Sequence, residues 1–402
     1  MLLMSNNDNN YDVIVIGGGA SGLMCAAALN VLDSGIKVLV IEKNNKPGRK
    51  LLATGNGRCN YTNLHITPDS YNTDDINKLK TILDRYPSDK LIDYFRTNLG
   101  IIPDFKGDLV YPITYQSKTV SEALTQACKT STFLYNTEVN SVVKEGMKWK
   151  VNGLFEAEYV VFACGGVSLP DSGSNGSVYP VLREITGKDS FVRLLPSLVP
   201  LKTSDKDLNA LSGLRQECTV TMGERVEKGE ILFTDYGISG ICVMQLSGYY
   251  NRSSAEGKKI DALYVDLIPS MDIDTKRKTV NELLERFPDR KPSEALSGLL
   301  KKPLAECVVN RSSNTYESIA DTIQKFKVTL SGSLGFENAQ VTSGGVKLSC
   351  LTDGLESITS NGIFVCGEAV NVDGICGGYN LTWAWASALN VASSIYEDFE
   401  VS

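Results

Sequence analysis

The chain has 402 residues, 42% of them hydrophobic and 22% charged, with a net charge of −7. That length is enough for two or three domains, and the composition is that of a globular chain rather than a disordered one. It carries no long basic block, which argues against a nucleic-acid partner, and its ten cysteines include no C-x-x-C, which argues against a vicinal redox disulfide and the usual zinc spacing.

Residues 1–10, rich in Asn, read as a frayed tail. Val13–Ile16 is β-branched and bounded by turn residues, so it reads as a buried parallel strand. A glycine turn follows at Gly17, Gly19 and Gly22, then a helix at Leu23–Leu32 rich in Ala and Leu. Lys37–Ile41 is a second strand, closed by Glu42 twenty residues after Gly22. In such a unit Gly17 permits the tight turn, Gly19 lets the backbone approach a pyrophosphate, and Gly22 packs helix on strand. The helix N-terminus, with Ala20 and Ser21, then faces the phosphates, while Glu42, with Lys43 beside it, meets a ribose diol. A carboxylate repels a 2′-phosphate, which leaves the adenosine end of FAD or of NAD. Val13–Leu32 is also twenty residues without a charge, long enough to span a bilayer. It holds four glycines and a turn, and no Lys or Arg precedes it in residues 1–10, so neither a span nor a signal peptide is read and the expected location is the cytoplasm.

The loop Gly48–Asn60 carries Arg49, Lys50, Asn56, Gly57, Arg58, Cys59 and Asn60. Its amides and cations suit a pyrophosphate, and an ordinary solvated basic loop is the alternative. Cys59 reads as a packing thiol. Helices are expected at Asp74–Tyr86, Ser88–Leu99 and Ser121–Lys129, and a hairpin at Ile102–Tyr111 turning at Lys106-Gly107. Strands are expected at Phe133–Tyr135, Val139–Lys144 and Lys148–Val151. Tyr159–Gly166 reads as a third buried strand, ending in Ala163, Cys164 and the pair Gly165-Gly166. From about Phe191 the pattern changes to short strands at Glu217–Met222, Arg225–Glu227, Ile231–Phe233 and Ile260–Leu267. A helix is expected at Ile238–Tyr250, a helical subdomain at about 272–326, and a strand at Lys327–Leu330. The fold class is therefore α/β. A split Rossmann-like domain, 1–190 with 340–402, accepts an insert at 191–339, which is expected to shape the substrate site. No second G-x-G-x-x-G with strand–helix context exists, since Gly173-Ser-Asn-Gly176 and Gly332-Ser-Leu-Gly335 lack it; a nicotinamide donor, NAD(P)H, is expected to bind transiently at the flavin face.

Near the C-terminus a second strand-to-helix turn appears. Gly362–Glu368 is a short strand ending at Gly367 and Glu368; Asp373, Cys376, Gly377, Gly378, Tyr379, Asn380 and Leu381 lead into a helical stretch at Thr382–Ile395. A two-part site of this kind is typical of FAD enzymes, where the late segment places backbone groups and a helix N-terminus near pyrophosphate and flavin.

Gly48–Asn60, Phe233-Thr-Asp-Tyr-Gly237-Ile-Ser-Gly240, Thr342-Ser-Gly-Gly345-Val and Gly374–Trp385 together resemble the BaiN-type flavoproteins, also described as aminoacetone-oxidase-like, across nearly the whole chain. The family stands with flavoproteins related to fumarate reductase and glutathione reductase. The resemblance implies bound FAD, a split FAD domain and a barrel-like insert carrying a small helical piece; the two strand–turn–helix sites and the single, poorly placed histidine make the expected FAD non-covalent. It implies reduction of conjugated double bonds, as in bile-acid intermediates. It also implies that the strand ending at Ala163–Gly166 lies beside the adenine and that Asn136–Val139 meets the adenine ring. Some members carry His where this chain has Asp235, which removes a histidine acid there.

His65, the only histidine, lies outside every motif and reads as a loop residue. Proton donors are then sought at the glycine turn near the flavin, where Cys376 and Tyr379 are the candidates; Tyr379 is the preferred acid, since a phenol can protonate a carbanion, with packing as its alternative. Trp383 and Trp385 read as covering the start of the last helix. The leading activity is NAD(P)H-dependent reduction of a conjugated C=C bond in a small-molecule substrate. The alternatives are an amine oxidase using oxygen and a flavin-binding regulatory module without turnover. No metal and no membrane partner are expected, and the oligomeric state is open.

Overall fold

The structure is a computed structural model in which residues 9–401 are described. Most of the expected tail lies outside the described residues. Asn9 and Asn10 are not frayed: the Glu156 amide donates to the Asn9 carbonyl at 2.9 Å, and Asn10 forms an isolated bridge with Glu156.

Two compact units are present. One runs to Leu194 and resumes at Val341; the other is Leu195–Gln340. The first is built on a five-stranded sheet in the order Ile363–Val365, Tyr159–Phe162, Val13–Ile16, Val38–Ile41, Thr132–Leu134, with every pairing parallel. Val13–Ile16 sits at the centre and pairs in register with Tyr159–Phe162 on one side and Val38–Ile41 on the other. All of these residues are buried, which is why each strand reads as an unbroken apolar run: a parallel sheet is covered on both faces. The helix Ala20–Leu32 starts three residues earlier than expected and packs on the last helix, Tyr379–Val401. The last helix is longer than expected at both ends; Asn390 in its middle is clasped by Arg85 and by the Asp353 carbonyl, so a polar residue is carried inside without breaking it.

The segment Gly48–Asn60 is not a plain loop. It opens with a short helix, Arg49–Ala53, then one 3-10 turn, Thr54–Gly57. The helix Ser117–Ala127 begins four residues before the expected Ser121. Tyr179–Thr186 is a helix that sequence periodicity did not single out, because it is one amphipathic turn pair started by Pro180.

The second unit is a closed antiparallel barrel of six strands: Leu201–Thr203, Gly237–Ser239, Arg225–Phe233, Arg215–Met222, Ala262–Asp266 and Phe326–Ser333. Cys218, Val220, Met222, Ile231, Phe233, Val265 and Phe326 fill its buried core. The expected break between Arg225–Glu227 and Ile231–Phe233 does not occur. Gly229 pairs with Cys218 inside one continuous ladder, so the Lys-Gly-Glu run is strand rather than turn. Ile238 belongs to a strand, and the helix starts at Ile241. Gly240, at φ +102°, forces this later start: a Cβ there would lie 2.1 Å from the Glu230 carbonyl oxygen. Four helices, Ile273–Arg286, Pro292–Ala295, Lys302–Asn310 and Tyr316–Gln324, form the helical piece. Its buried Lys276 is satisfied by Asp266 at 2.7 Å and by Gln324. Among the described residues no helix is long and apolar enough to cross a membrane.

Candidate functional site

The first strand delivers the glycine turn to the C-terminal edge of the sheet, where ligands of open α/β folds bind. Gly17 has φ +105°, and a Cβ on it would meet the Ala163 carbonyl oxygen at 2.6 Å, so the turn is pressed against the third strand. A Cβ on Gly22 would lie 1.8 Å from the Gly17 carbonyl oxygen, which is the close helix–turn contact only glycine allows. Gly19 differs: no atom lies within 4 Å of its Cβ position. It is the N-cap of Ala20–Leu32 and no side chain caps the helix. The amides of Ala20, Ser21 and Gly22 therefore form an uncapped, positively polarised end facing open space, which suits a pyrophosphate.

Glu42 lies at the end of the second strand with its carboxylate turned toward this turn. Its Oε2 accepts from the Gly18 amide at 2.8 Å; its Oε1 accepts from the amide of Asn44 at 2.8 Å and from Asn44 Nδ2 at 2.7 Å. A carboxylate offers about four acceptor positions, so the chain itself fills most of them and the free one is on Oε2. Lys43 reaches Asn175, and its ammonium pKa is lowered, mainly by burial, against the pull of Glu138 and Glu42. Arg49 donates to Asn44 Oδ1 at 2.8 Å. Asn136 and Thr137 donate their amides to the carbonyls of Asn44 and Glu42 at 3.0 and 3.1 Å, which brings the segment leading to buried Val139 alongside.

The Arg49–Asn60 segment is stitched to the turn by the Gly48 amide, which donates to the Gly18 carbonyl at 2.8 Å. Gly55, Asn56, Gly57 and Cys59 all have positive φ, so this stretch coils tightly and leaves Asn56 and Arg58 exposed. Cys59 is buried and its thiol is pushed up to about 12 by burial, opposed by a Thr54 hydrogen bond; it is a packing group, not a thiolate. Cys164 and Cys366 are raised to about 12 for the same first reason.

The C-terminal segment closes on these elements at three places. A Cβ on Gly367 would meet Ser21 Oγ at 2.4 Å. Glu368 takes Lys50 Nζ at 2.7 Å on one oxygen and the Thr342 amide at 2.7 Å on the other. A Cβ on Gly378 would lie 2.7 Å from the Thr62 backbone and 3.1 Å from Asn60 Oδ1. Gly166 fits against Thr342 and Glu368, where a Cβ would be 2.3 and 2.8 Å from their side chains, and Gly165 accepts from the Tyr179 hydroxyl at 3.1 Å. Asp373 is buried and accepts from Asn72 at 2.9 Å. Asn380 folds back on Gly374, accepting its amide at 2.8 Å and donating to its carbonyl at 2.9 Å, so it shapes the turn. Leu381 packs on the core.

Of the candidate acids, Tyr379 is buried with its hydroxyl donated to the His65 carbonyl at 3.1 Å, and it accepts Tyr71 on its own carbonyl at 2.9 Å. Cys376 is half-buried beside Gly377. The His65 side chain is exposed, near Asp108 at 3.3 Å. Trp383 and Trp385 are buried, donating to the carbonyls of Gly367 and Tyr61 at 3.0 and 2.8 Å, so both anchor the last helix.

Asn60 Oδ1 is a buried acceptor with no partner, set against Gly378 where the two turns meet. An orphaned buried acceptor is costly, and a ligand bringing an N–H donor satisfies it. With the uncapped helix end, the open space at Gly19 and the Glu42 carboxylate, these residues fit a flavin dinucleotide. Asn44 and Thr62 are the site residues that sequence reasoning passed over, while Thr342 entered only within the Thr342–Val346 motif, with no role of its own. Asn44 carried one faint signal, standing two residues beyond Glu42; Thr62 and Thr342 are strand residues whose partners are distant in the chain.

Residues 11–394 match the HI0933-like protein Rossmann domain. The chain is 32% identical to the 3-dehydro-bile acid delta(4,6)-reductase of Clostridium scindens, over 93% of this chain and 96% of that protein. It is 29% identical to the ribosomal RNA dihydrouridine synthase of Escherichia coli, over 96% of this chain and 98% of that protein. Among solved structures, a variant of E. coli quinol fumarate reductase FrdA aligns with a TM-score of 0.50 at 12% identity, covering 96% of this chain and 70% of that one, a likeness of fold.

Proposed function

The chain belongs to the HI0933-like family of FAD-dependent oxidoreductases, and from that premise we propose that it reduces a carbon–carbon double bond conjugated to a carbonyl, with NAD(P)H as the electron donor. The observation that carries the reading is the meeting of both ends of the chain on one cradle: Gly367 on Ser21, Glu368 on Lys50, Gly378 on Asn60. The amides of Ala20–Gly22 and the cations Arg49 and Arg58 suit the pyrophosphate, Glu42 the ribose, and Asn60 Oδ1 a ring N–H. The bound flavin supplies hydride transfer. In a carbonyl-conjugated alkene the carbon β to the carbonyl accepts hydride, and the α-carbon then takes a proton from a positioned acid. Two candidate donors sit at this turn, Tyr379, whose hydroxyl donates to the His65 carbonyl, and half-buried Cys376; Cys376 is the one we assign for test.

The similarity to the bile-acid reductase favours a steroid-like enone. A second reading has a specific observation behind it, because a protein named for dihydrouridine synthesis in ribosomal RNA aligns over 96% of this chain. The uracil C5=C6 bond is also conjugated to a carbonyl, so the redox step is the same and the substrate is RNA, contrary to the expectation of no nucleic-acid partner. The test is anaerobic: bleach the flavin with NADH or NADPH, then add an unsaturated 3-oxo steroid or unmodified ribosomal RNA. Recovery of colour with one of them, and loss of that recovery in Cys376→Ala, supports the reading. Recovery only with oxygen after reduction by an amine identifies an oxidase, and flavin that no reductant bleaches identifies a binding module.

A further inference from the structure

Gly173, at positive φ and left without a role by the sequence, packs against Asn44, and Asn44 in turn holds Glu42. Asn44 takes Glu42 Oε1 with both its backbone amide and its side-chain amide, at 2.8 and 2.7 Å. Its own Oδ1 is held by Arg49 at 2.8 Å, and Nδ2 also approaches the Ser172 carbonyl at 3.3 Å. These contacts fix the amide orientation, since Oδ1 faces a donor and Nδ2 faces acceptors. Gly173 has φ +106°, and a Cβ on it would fall 2.3 Å from Asn44 Nδ2. The Pro170–Ser172 turn therefore comes down on Asn44 only because position 173 has no side chain. Lys43 on Asn175 fastens the same turn one step further along.

We propose that Asn44 is a positioning residue for the cofactor: it saturates Oε1 of Glu42 and so presents Oε2 alone, in one orientation, to the adenosine ribose. The inference rests on the FAD reading above. Without Asn44 the carboxylate is free to rotate, and Oε2 is no longer held toward the ligand. Its replacement by Asp sets two carboxylates against each other, which raises the pKa of the pair and makes binding depend on pH.

The test is a titration of apoprotein with FAD, read by quenching of flavin fluorescence, with a urea midpoint for each variant as control of folding. Asn44→Ala is expected to weaken FAD by roughly tenfold, the scale of one charge-assisted hydrogen bond. Gly173→Ala is expected to weaken it in the same direction by displacing Nδ2. Asn44→Asp should bind more weakly than Asn44→Ala at pH 8 and regain affinity toward pH 5, a dependence that loss of packing alone does not produce. Wild-type affinity in folded Asn44→Ala, or an Asn44→Asp affinity flat with pH, overturns the proposal. If wild-type apoprotein takes up no FAD, the cofactor reading fails and this inference with it.

Discussion

Lys50 and Glu368, 318 positions apart, form an ion pair of 2.7 Å within one unit. Both side chains are about four-fifths shielded, at 23% and 20% exposure, and the second Glu368 oxygen accepts the Thr342 amide. The pair ties the short helix Arg49–Ala53 to the 3-10 turn Gly367–Ala369. Lys50 is thus a clamp between the early and late parts of the cradle.

Breaking this clamp in apoprotein should be measurable. Lys50→Met and Glu368→Gln are each expected to cost about 1–3 kcal/mol in urea unfolding. The double variant should lose less than the sum by about 1 kcal/mol. Additive losses would show that the two side chains do not act as a pair.

Glu42→Ala removes the acceptor of the Gly18 and Asn44 amides as well as the proposed ribose contact. FAD affinity is expected to fall by roughly 1.5–3 kcal/mol. Isothermal titration of apoprotein checks it, and unchanged affinity would place the ribose elsewhere.

Asp74 sets an acid limit on stability. Burial works to raise its pKa, but hydrogen bonds from Asn371, from Ser349 through side chain and amide, and from the Leu348 amide outweigh it and hold the carboxyl below its usual value. A depressed folded pKa contributes stability above the unfolded value, about 3.9, and that contribution is lost as pH falls through the folded value. Asp74→Asn should therefore be less stable than wild type at pH 7, with the gap closing below about pH 4. A gap that stays constant across this range in thermal melts would rule the linkage out.

Flavin should be held without a covalent bond. The single histidine, His65, is exposed beside Asp108; Cys59 and Cys366 are buried thiols and Cys164 a half-buried one, all three held protonated by desolvation. Acid precipitation of purified protein should release all flavin to the supernatant as FAD. Colour retained in the pellet, or FMN in solution, would contradict this.

The sequence by itself determined the βαβ unit, the strand at Tyr159–Phe162, the helices near Ile76–Arg85 and Ser88–Leu99, and the resemblance that marks the family. Those features are local: a β-branched run, an Ala-rich helix and glycines at fixed spacing need no distant partner to be read. Tertiary structure decided the rest. The continuous Arg225–Phe233 strand exists because Gly229 pairs with Cys218, a contact the local Lys-Gly-Glu turn signal opposes. Helix in place of loop at Arg49–Ala53 accompanies the Gly48 amide on Gly18 and the Lys50 pairing with Glu368. Asn44 meets Glu42 locally, but the Ser172–Gly173 backbone that packs over its amide arrives from far along the chain. Sequence periodicity reports which face of an element is apolar, whereas the hydrogen bonds that orient a carboxylate depend on which distant backbone arrives beside it.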